Sequence, residues 1–64
     1  MSGLTLKIDS TGNAAFTDGP REEIARILRK VANDITDGKE GGVILDVNGN
    51  KVGAWDLDLP DAED

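Results

Sequence analysis

Carboxylates are the most abundant chemically active side chains in this chain. Its 64 residues include 13 Asp and Glu against seven Lys and Arg, with no histidine, cysteine or tyrosine. Without histidine, a serine or threonine nucleophile would need a lysine or carboxylate as its base, and so small a domain has little room for a closed pocket. The usual zinc ligand sets cannot be assembled either. We therefore predict a non-enzymatic protein that holds no metal and no cofactor.

One short segment resembles a calcium loop. Asp46, Asn48 and Asn50 occupy the first, third and fifth positions of such a loop. An EF-hand also needs glycine at the sixth position and glutamate at the twelfth, where this chain has Lys51 and Leu57. The Asn-Gly dipeptide inside the segment is instead the strongest short-range signal for a two-residue hairpin turn of type I′. We interpret the segment as a turn.

Four of the 13 acids are expected to stabilise the fold: Asp18, Glu22, Glu23 and Asp46. The first three lie near the positive N-terminal end of a predicted helix, where negative charge is favourable. Glu22 could also pair with Arg26 one turn later. Asp46 would face Lys51 across the predicted hairpin.

The other nine acids have no such role, and most fall into two groups. Asp34, Asp37 and Glu40 surround the C-terminal end of the predicted helix, where each carboxylate should cost about 0.3–1 kcal/mol. The second group lies in residues 56–64, which contain no base: Asp56, Asp58, Asp61, Glu63 and Asp64. Asp56 and Asp58 would share a strand face about 6.6 Å apart, which resembles a row of phosphates.

Two interpretations of these nine acids stay open. A net charge of −6 can serve solubility alone, and acidic turns and termini are common. Alternatively, the acids form a surface complementary to a groove that holds DNA, so that the protein competes with DNA for the groove. In both cases the charge argues against direct binding to nucleic acid or an anionic membrane, and a charged partner should be basic.

Hydrophobic spacing predicts the elements that position the acids. Alternating apolar residues predict a strand over 4–9, and the Asn-Gly turn joins two further strands over 43–47 and 50–57. Asp18-Gly-Pro20 is a helix start signal, and an apolar stripe continues to Asp37-Gly38. We therefore predict an α+β domain of order β-α-β-β over residues 1–57. One helix packs on a three-stranded antiparallel sheet with strand three central, and residues 58–64 form an acidic, frayed tail.

The predicted hairpin register assigns side chains to the two faces of the sheet. With a two-residue loop, residues whose numbers sum to 97 pair, so Trp55 lies opposite Gly42. One face of the sheet would pack against the helix, and Phe16 would cover one end of this core. The sheet residues on that face are Leu4, Leu6, Ile8, Val43, Leu45, Val52 and Ala54. Ile44, Trp55 and Leu57 would lie on the other face as a contact surface. Alternatively, Trp55 lies over its own sheet, or a bulge at Gly53 switches the faces.

The chain contains neither a run of about 20 apolar residues, as a membrane span requires, nor a basic leader. The absence of cysteine also fits a reducing compartment. We therefore expect a cytoplasmic protein with no membrane partner, present as a monomer or weak dimer.

Four segments together resemble a group of very small phage and prophage proteins: LTLKI (4–8), NAAF (13–16), EIARILRK (23–30) and DVNGNKVG (46–53). Small acidic phage proteins of this kind include anti-CRISPR proteins, which bind a bacterial CRISPR effector and often block its access to DNA, some by imitating DNA charge. The resemblance implies a phage-derived inhibitor of an effector complex, plausibly of type I, in the bacterial host cell. It carries no catalytic residues. The alternative is a small phage assembly module that pairs through Ile44, Trp55 and Leu57.

Overall fold

A computed structural model of the protein describes residues 2–9, 11–12 and 14–60. Within these ranges the elements are β1 (Gly3–Ile8), a 3-10 turn (Ala14–Phe16), α1 (Pro20–Thr36), β2 (Gly41–Leu45) and β3 (Lys51–Asp58). The strands form one sheet in the order β1-β3-β2, and both pairings are antiparallel. The predicted α+β class, the β-α-β-β order and the central position of strand three are confirmed. The tail residues Asp61, Glu63 and Asp64 lie outside the described residues.

Both ends of helix α1 lie where the sequence predicts them. Gly19 is the N-cap and Pro20 takes the first helical position, where a missing N–H costs least. At the other end Gly38 has φ +99° and donates its N–H to the Ile35 carbonyl at 3.0 Å. Lys39 donates to the Asp34 carbonyl at 2.9 Å, which completes the Schellman pattern of bonds.

The hydrophobic core lies between α1 and the sheet. Its buried side chains come from the 3-10 turn, the helix and both strands of the hairpin: Phe16, Ile27, Val31, Ile44, Val52 and Trp55. Leu6 and Ile8 of β1 pack against this cluster, as predicted, and Phe16 is in the core as expected. Leu4, which was also predicted to pack against the helix, is instead 54% exposed.

The predicted faces of the hairpin strands are wrong for most residues. Ile44 and Trp55 are 3% and 5% exposed and belong to the core, and Leu57 packs against it. Val43 and Leu45 are instead exposed, at 58% and 47%. The reason is strand pleating, because Trp55 pairs directly with Leu6 of β1 and directly paired residues share a face.

A register shift in the hairpin explains why Val52 is nevertheless buried. Ile44 pairs with Gly53, but Leu45 pairs with Lys51, so Val52 is the extra residue of a bulge. The bulge lets Val52 and Trp55 both face the helix although three positions separate them. The alternative of a bulge at Gly53 that switches the faces is therefore close to the observed structure, in which the bulge lies one residue earlier, at Val52.

The hairpin loop has three residues rather than two. Asp46 donates its N–H to the Asn50 carbonyl at 2.9 Å and accepts from the Gly49 N–H at 3.0 Å. Gly49 has φ +86°, whereas no described non-glycine residue has a positive φ. This is a turn followed by a left-handed glycine, as is common in three-residue loops, and not the predicted type I′ turn. Asp46 therefore does not face Lys51.

No helix among the described residues is long and apolar enough to cross a membrane.

Candidate functional site

The fold brings described members of the two predicted groups of acids to one end of the sheet. The Leu57 N–H donates to the Glu40 carbonyl at 2.8 Å, and Gly41 pairs with Asp56. Glu40 therefore lies beside the last residues of β3, and Asp37 precedes it by three positions as the C-cap of α1. We call these four exposed residues the acidic end: Asp37, Glu40, Asp56 and Asp58.

The two strand carboxylates of the acidic end project from the outer face of the sheet. Asp56 and Asp58 alternate with the buried Trp55 and the half-buried Leu57, so both face away from the helix. Their partners across the sheet are small: Thr5 and Gly41 flank Asp56, and Gly3 lies opposite Asp58. The predicted sharing of one strand face is confirmed.

No side chain within the described residues forms an ion pair with the acidic end. The nearest cation in the sequence is Lys39, between Asp37 and Glu40. Its Nζ instead lies 3.6 Å from Asp34 Oδ1. No ion pair therefore neutralises the four carboxylates in the described part of the chain, and the cation beside them on the outer face is Lys7, a diagonal neighbour of Asp56.

Asp34, the third acid at the end of the helix, has a structural role that the sequence interpretation missed. Its carboxylate accepts hydrogen bonds from Lys30 Nζ at 2.8 and 3.1 Å, and Lys39 approaches from the other side. The hydrogen bond from Lys30 is the largest cause that holds the pKa of Asp34 below its usual value. The prediction that folding has no use for Asp34 is wrong, because two lysines neutralise it.

A second cluster joins the helix to the hairpin. Glu23 is 7% exposed, and its carboxylate accepts from Arg26 Nε at 2.8 Å, Arg26 Nη2 at 2.9 Å and the Val47 N–H at 2.8 Å. Arg26 Nη2 also donates to the Leu45 carbonyl at 3.3 Å. The predicted pair of Glu22 with Arg26 is therefore replaced by a forked pair with Glu23, one position later, which also fixes the hairpin.

Acid should weaken this helix–hairpin connection. The hydrogen bonds from Arg26, followed in weight by that from Val47, lower the pKa of Glu23 in the folded protein. A carboxyl whose pKa is lower when folded stabilises the protein above its unfolded pKa, near 4.5, and this contribution disappears as the pH falls through the folded value.

We therefore expect the free energy of unfolding to fall as the pH is lowered from about 4.5, and Glu23→Gln to flatten that dependence. Chemical denaturation followed by Trp55 fluorescence across this pH range measures both. Glu22→Gln is the matched control, because Glu22 is exposed. An equally steep acid loss in Glu23→Gln would contradict the expected role of Glu23.

The segment that resembles a calcium loop forms the hairpin turn, and the hydrogen bonds of this turn already use the Asp46 carboxylate. Asp46 is 4% exposed, and its Oδ1 accepts from the N–H groups of Asn48 and Asn50 at 2.9 and 2.8 Å. Its Oδ2 accepts from Asn50 Nδ2 at 3.3 Å. Among the residues that the structure describes, no group of three or more acidic side chains is placed to hold a metal ion.

The apolar residues predicted as a contact surface do not form one. Ile44 and Trp55 are core residues, and Leu57 is half-buried against them. Trp55 does lie beside Gly42 as predicted, since a Cβ on Gly42 would be 3.6 Å from Trp55 Nε1. On the outer face Val43 and Leu45 are the large exposed apolar residues of β2, and Ala54 of β3 is exposed beside Val43.

The fold and the acidic end define a small α+β protein with four exposed carboxylates at the end of the sheet where its helix ends. Comparison of the chain with protein families, curated proteins and solved structures finds no match.

Proposed function

We propose that the protein is a non-enzymatic inhibitor of phage origin that binds a basic DNA-binding surface of a bacterial CRISPR effector complex, of type I. It acts in the host cytoplasm, blocks target-DNA binding and does not itself bind nucleic acid. The observation that carries the proposal is the acidic end, where two distant chain segments place four exposed carboxylates at one end of the sheet, none of them in an ion pair within the described residues.

Elementary electrostatics supports this proposal. Carboxylates that stand about 6.6 Å apart along a strand lie at a spacing close to that of phosphates along a nucleic-acid strand. A lysine- and arginine-lined groove attracts such a surface, raises the association rate and loses affinity as salt screens the charges. Asp34 contributes less to this attraction than the other acids, because Lys30 and Lys39 already neutralise it.

Charge reversal at the acidic end is the decisive experiment. We expect Asp56→Lys/Asp58→Lys to weaken binding to a purified type I effector about tenfold or more, because like charges placed against a basic surface cost several kcal/mol. Competition with labelled target DNA, at low and high ionic strength, measures the effect.

The matched control is Asp18→Lys/Glu22→Lys. It changes the net charge equally but at the other end of α1, on two exposed residues. Equal losses in both double variants would mean that only net charge matters, and binding without competition against DNA would remove the proposed mode of inhibition.

The assembly alternative loses the surface on which it was based. Pairing through Ile44, Trp55 and Leu57 would require the core to open, because the first two are almost fully buried. We therefore do not extend the proposal to that function.

A further inference from the structure

The sheet has two edges, and the edge formed by β1 is open. Asp9 donates its N–H to the Val52 carbonyl at 2.9 Å, so in β1 the odd-numbered residues direct their backbone groups at β3. The backbone N–H and C=O groups of Leu4, Leu6 and Ile8 consequently point away from the sheet. No hydrogen bond to another part of the described chain satisfies them.

The edge formed by β2 is protected at one position by a side chain of the helix. Its outward-pointing Leu45 carbonyl accepts a hydrogen bond from Arg26 Nη2, which reaches it from α1. Arg26 is itself fixed by its forked pair with Glu23. A further strand could therefore pair with β2 as far as Leu45 only by displacing this arginine.

Apolar surface lies next to the open edge. Leu4 on the inner face of β1 is 54% exposed, and Leu28 of α1 is 47% exposed. Arg26, Lys30 and Asp34 line the groove between α1 and β2, and at 100° per residue Leu28 lies on the opposite flank of the helix, towards β1. Exposed apolar side chains therefore lie on the β1 side of the domain.

We propose that a second copy of this chain covers this edge, by antiparallel pairing of β1 with β1 about a two-fold axis at Leu6. In this register Leu4 of each copy lies opposite Ile8 of the other, so all three outward-pointing residues of both strands find partners. About six backbone hydrogen bonds form, and two three-stranded sheets become one of six strands. On the inner face, Leu4 of each copy then packs against Ile8 of the other, and Leu6 of both copies lies at the axis.

Charge on the outer face favours the same register. Thr5 of one copy would lie opposite Lys7 of the other, and Asp56 already pairs with Thr5 on its far side. The lysine of the second copy is then two strand spacings, about 9.6 Å, from Asp56, and adds positive charge next to Lys7 of the same chain, a diagonal neighbour of Asp56. Since each copy carries a net charge of −6, association is weak at low salt and strengthens as salt screens the repulsion.

Sedimentation equilibrium in about 0.15 M salt tests the proposal. We expect a concentration-dependent dimer that Leu4→Pro weakens at least tenfold, because proline removes an outward N–H while remaining compatible with an edge strand. The matched control is Val43→Pro, which makes the same change on the exposed β2 edge and should leave the dimer intact. A wild-type monomer at millimolar concentration, or loss only in Val43→Pro, overturns the proposal.

Disulfide trapping tests the register independently of folding defects. The natural chain has no cysteine, so single substitutions are unambiguous. A mixture of Thr5→Cys and Lys7→Cys chains should cross-link on oxidation, because these positions oppose each other as a closely spaced pair, whereas each chain alone should cross-link far less. Equal cross-linking by either chain alone, or none in the mixture, contradicts the proposed pairing.

Discussion

Replacing Gly53 by alanine is expected to unfold the protein. Gly53 lies in the central strand between Ile8 and Ile44, and a Cβ there would overlap the Lys7 carbonyl oxygen. The same atom would lie 2.9 Å from the Lys7 carbonyl carbon and 3.0 Å from Ile8 Cα. These are backbone atoms, so only separation of β1 from β3 relieves the overlap. The cost should be on the order of 3 kcal/mol or more.

Such a loss is large for so small a domain, whose total free energy of unfolding should be about 3–10 kcal/mol. Circular dichroism and thermal unfolding measure it. Gly42→Ala is the control, because its Cβ would make only an ordinary contact of 3.6 Å with Trp55 Nε1. A Gly53→Ala variant that melts within a few degrees of the wild type would show that β1 is not held as closely to β3 as described.

Trp55→Ala should have the second large effect. The indole is 5% exposed and fills the core over Gly42, where it packs with residues from α1 and the hairpin. Truncation of a buried tryptophan typically costs about 3–5 kcal/mol, partly through the cavity that remains. We expect the variant to be largely unfolded at room temperature, which far-UV circular dichroism measures.

A milder substitution separates packing from partner recognition. Trp55→Phe should keep most of the apolar volume, fold, and retain any binding to an effector complex. Val43→Ala on the outer face, where the side chain is 58% exposed, should change stability by less than about 0.5 kcal/mol. If Trp55→Phe folds but loses binding, the indole contacts the partner directly, which would contradict its assignment to the core.

The elements that local chemistry determines were predictable from the sequence. Pro20 and Gly38 mark the ends of the helix because each residue suits only a few backbone conformations. The order of the strands followed from their number and from the hairpin. The faces of the hairpin strands could not be derived in the same way, since both odd and even positions of β3 carry apolar residues.

The pairing of β3 with β1 decided those faces, because Trp55 pairs with the inward-facing Leu6. Asp46 accepts the N–H groups of Asn48 and Asn50, which draws one more residue into the loop than the Asn-Gly dipeptide suggested. The bulge at Val52 offsets this extra residue, so Gly42 still pairs with Trp55 and Val43 with Ala54, as predicted, and within β2 only Leu45 changes partner. A buried aspartate that stabilises a turn gives no hydrophobic signal, so periodicity alone does not reveal it.

The candidate site was predictable in part for a related reason. Asp56 and Asp58 share a face because a strand alternates, and Glu40 joins them because the register at the start of β2 was predicted correctly. The pair of Lys30 with Asp34 has the four-residue spacing of a helical ion pair and was predictable, whereas Lys39 lies beyond the helix end and reaches Asp34 only after the chain turns at Gly38. Pairing within a helix is readable from spacing, whereas pairing around a turn depends on its geometry.

The pairing of β1 with β3 also has a consequence for biosynthesis. Gly3 pairs with Asp58, so β1, which is synthesised before the other two strands, can pair only after β3 has been synthesised. The hairpin of β2 and β3 closes over a short loop and can form early, whereas closure by β1 pays the entropy of a loop that spans nearly the whole domain. Folding should therefore be completed only after translation of the domain ends, with docking of β1 as the slow step.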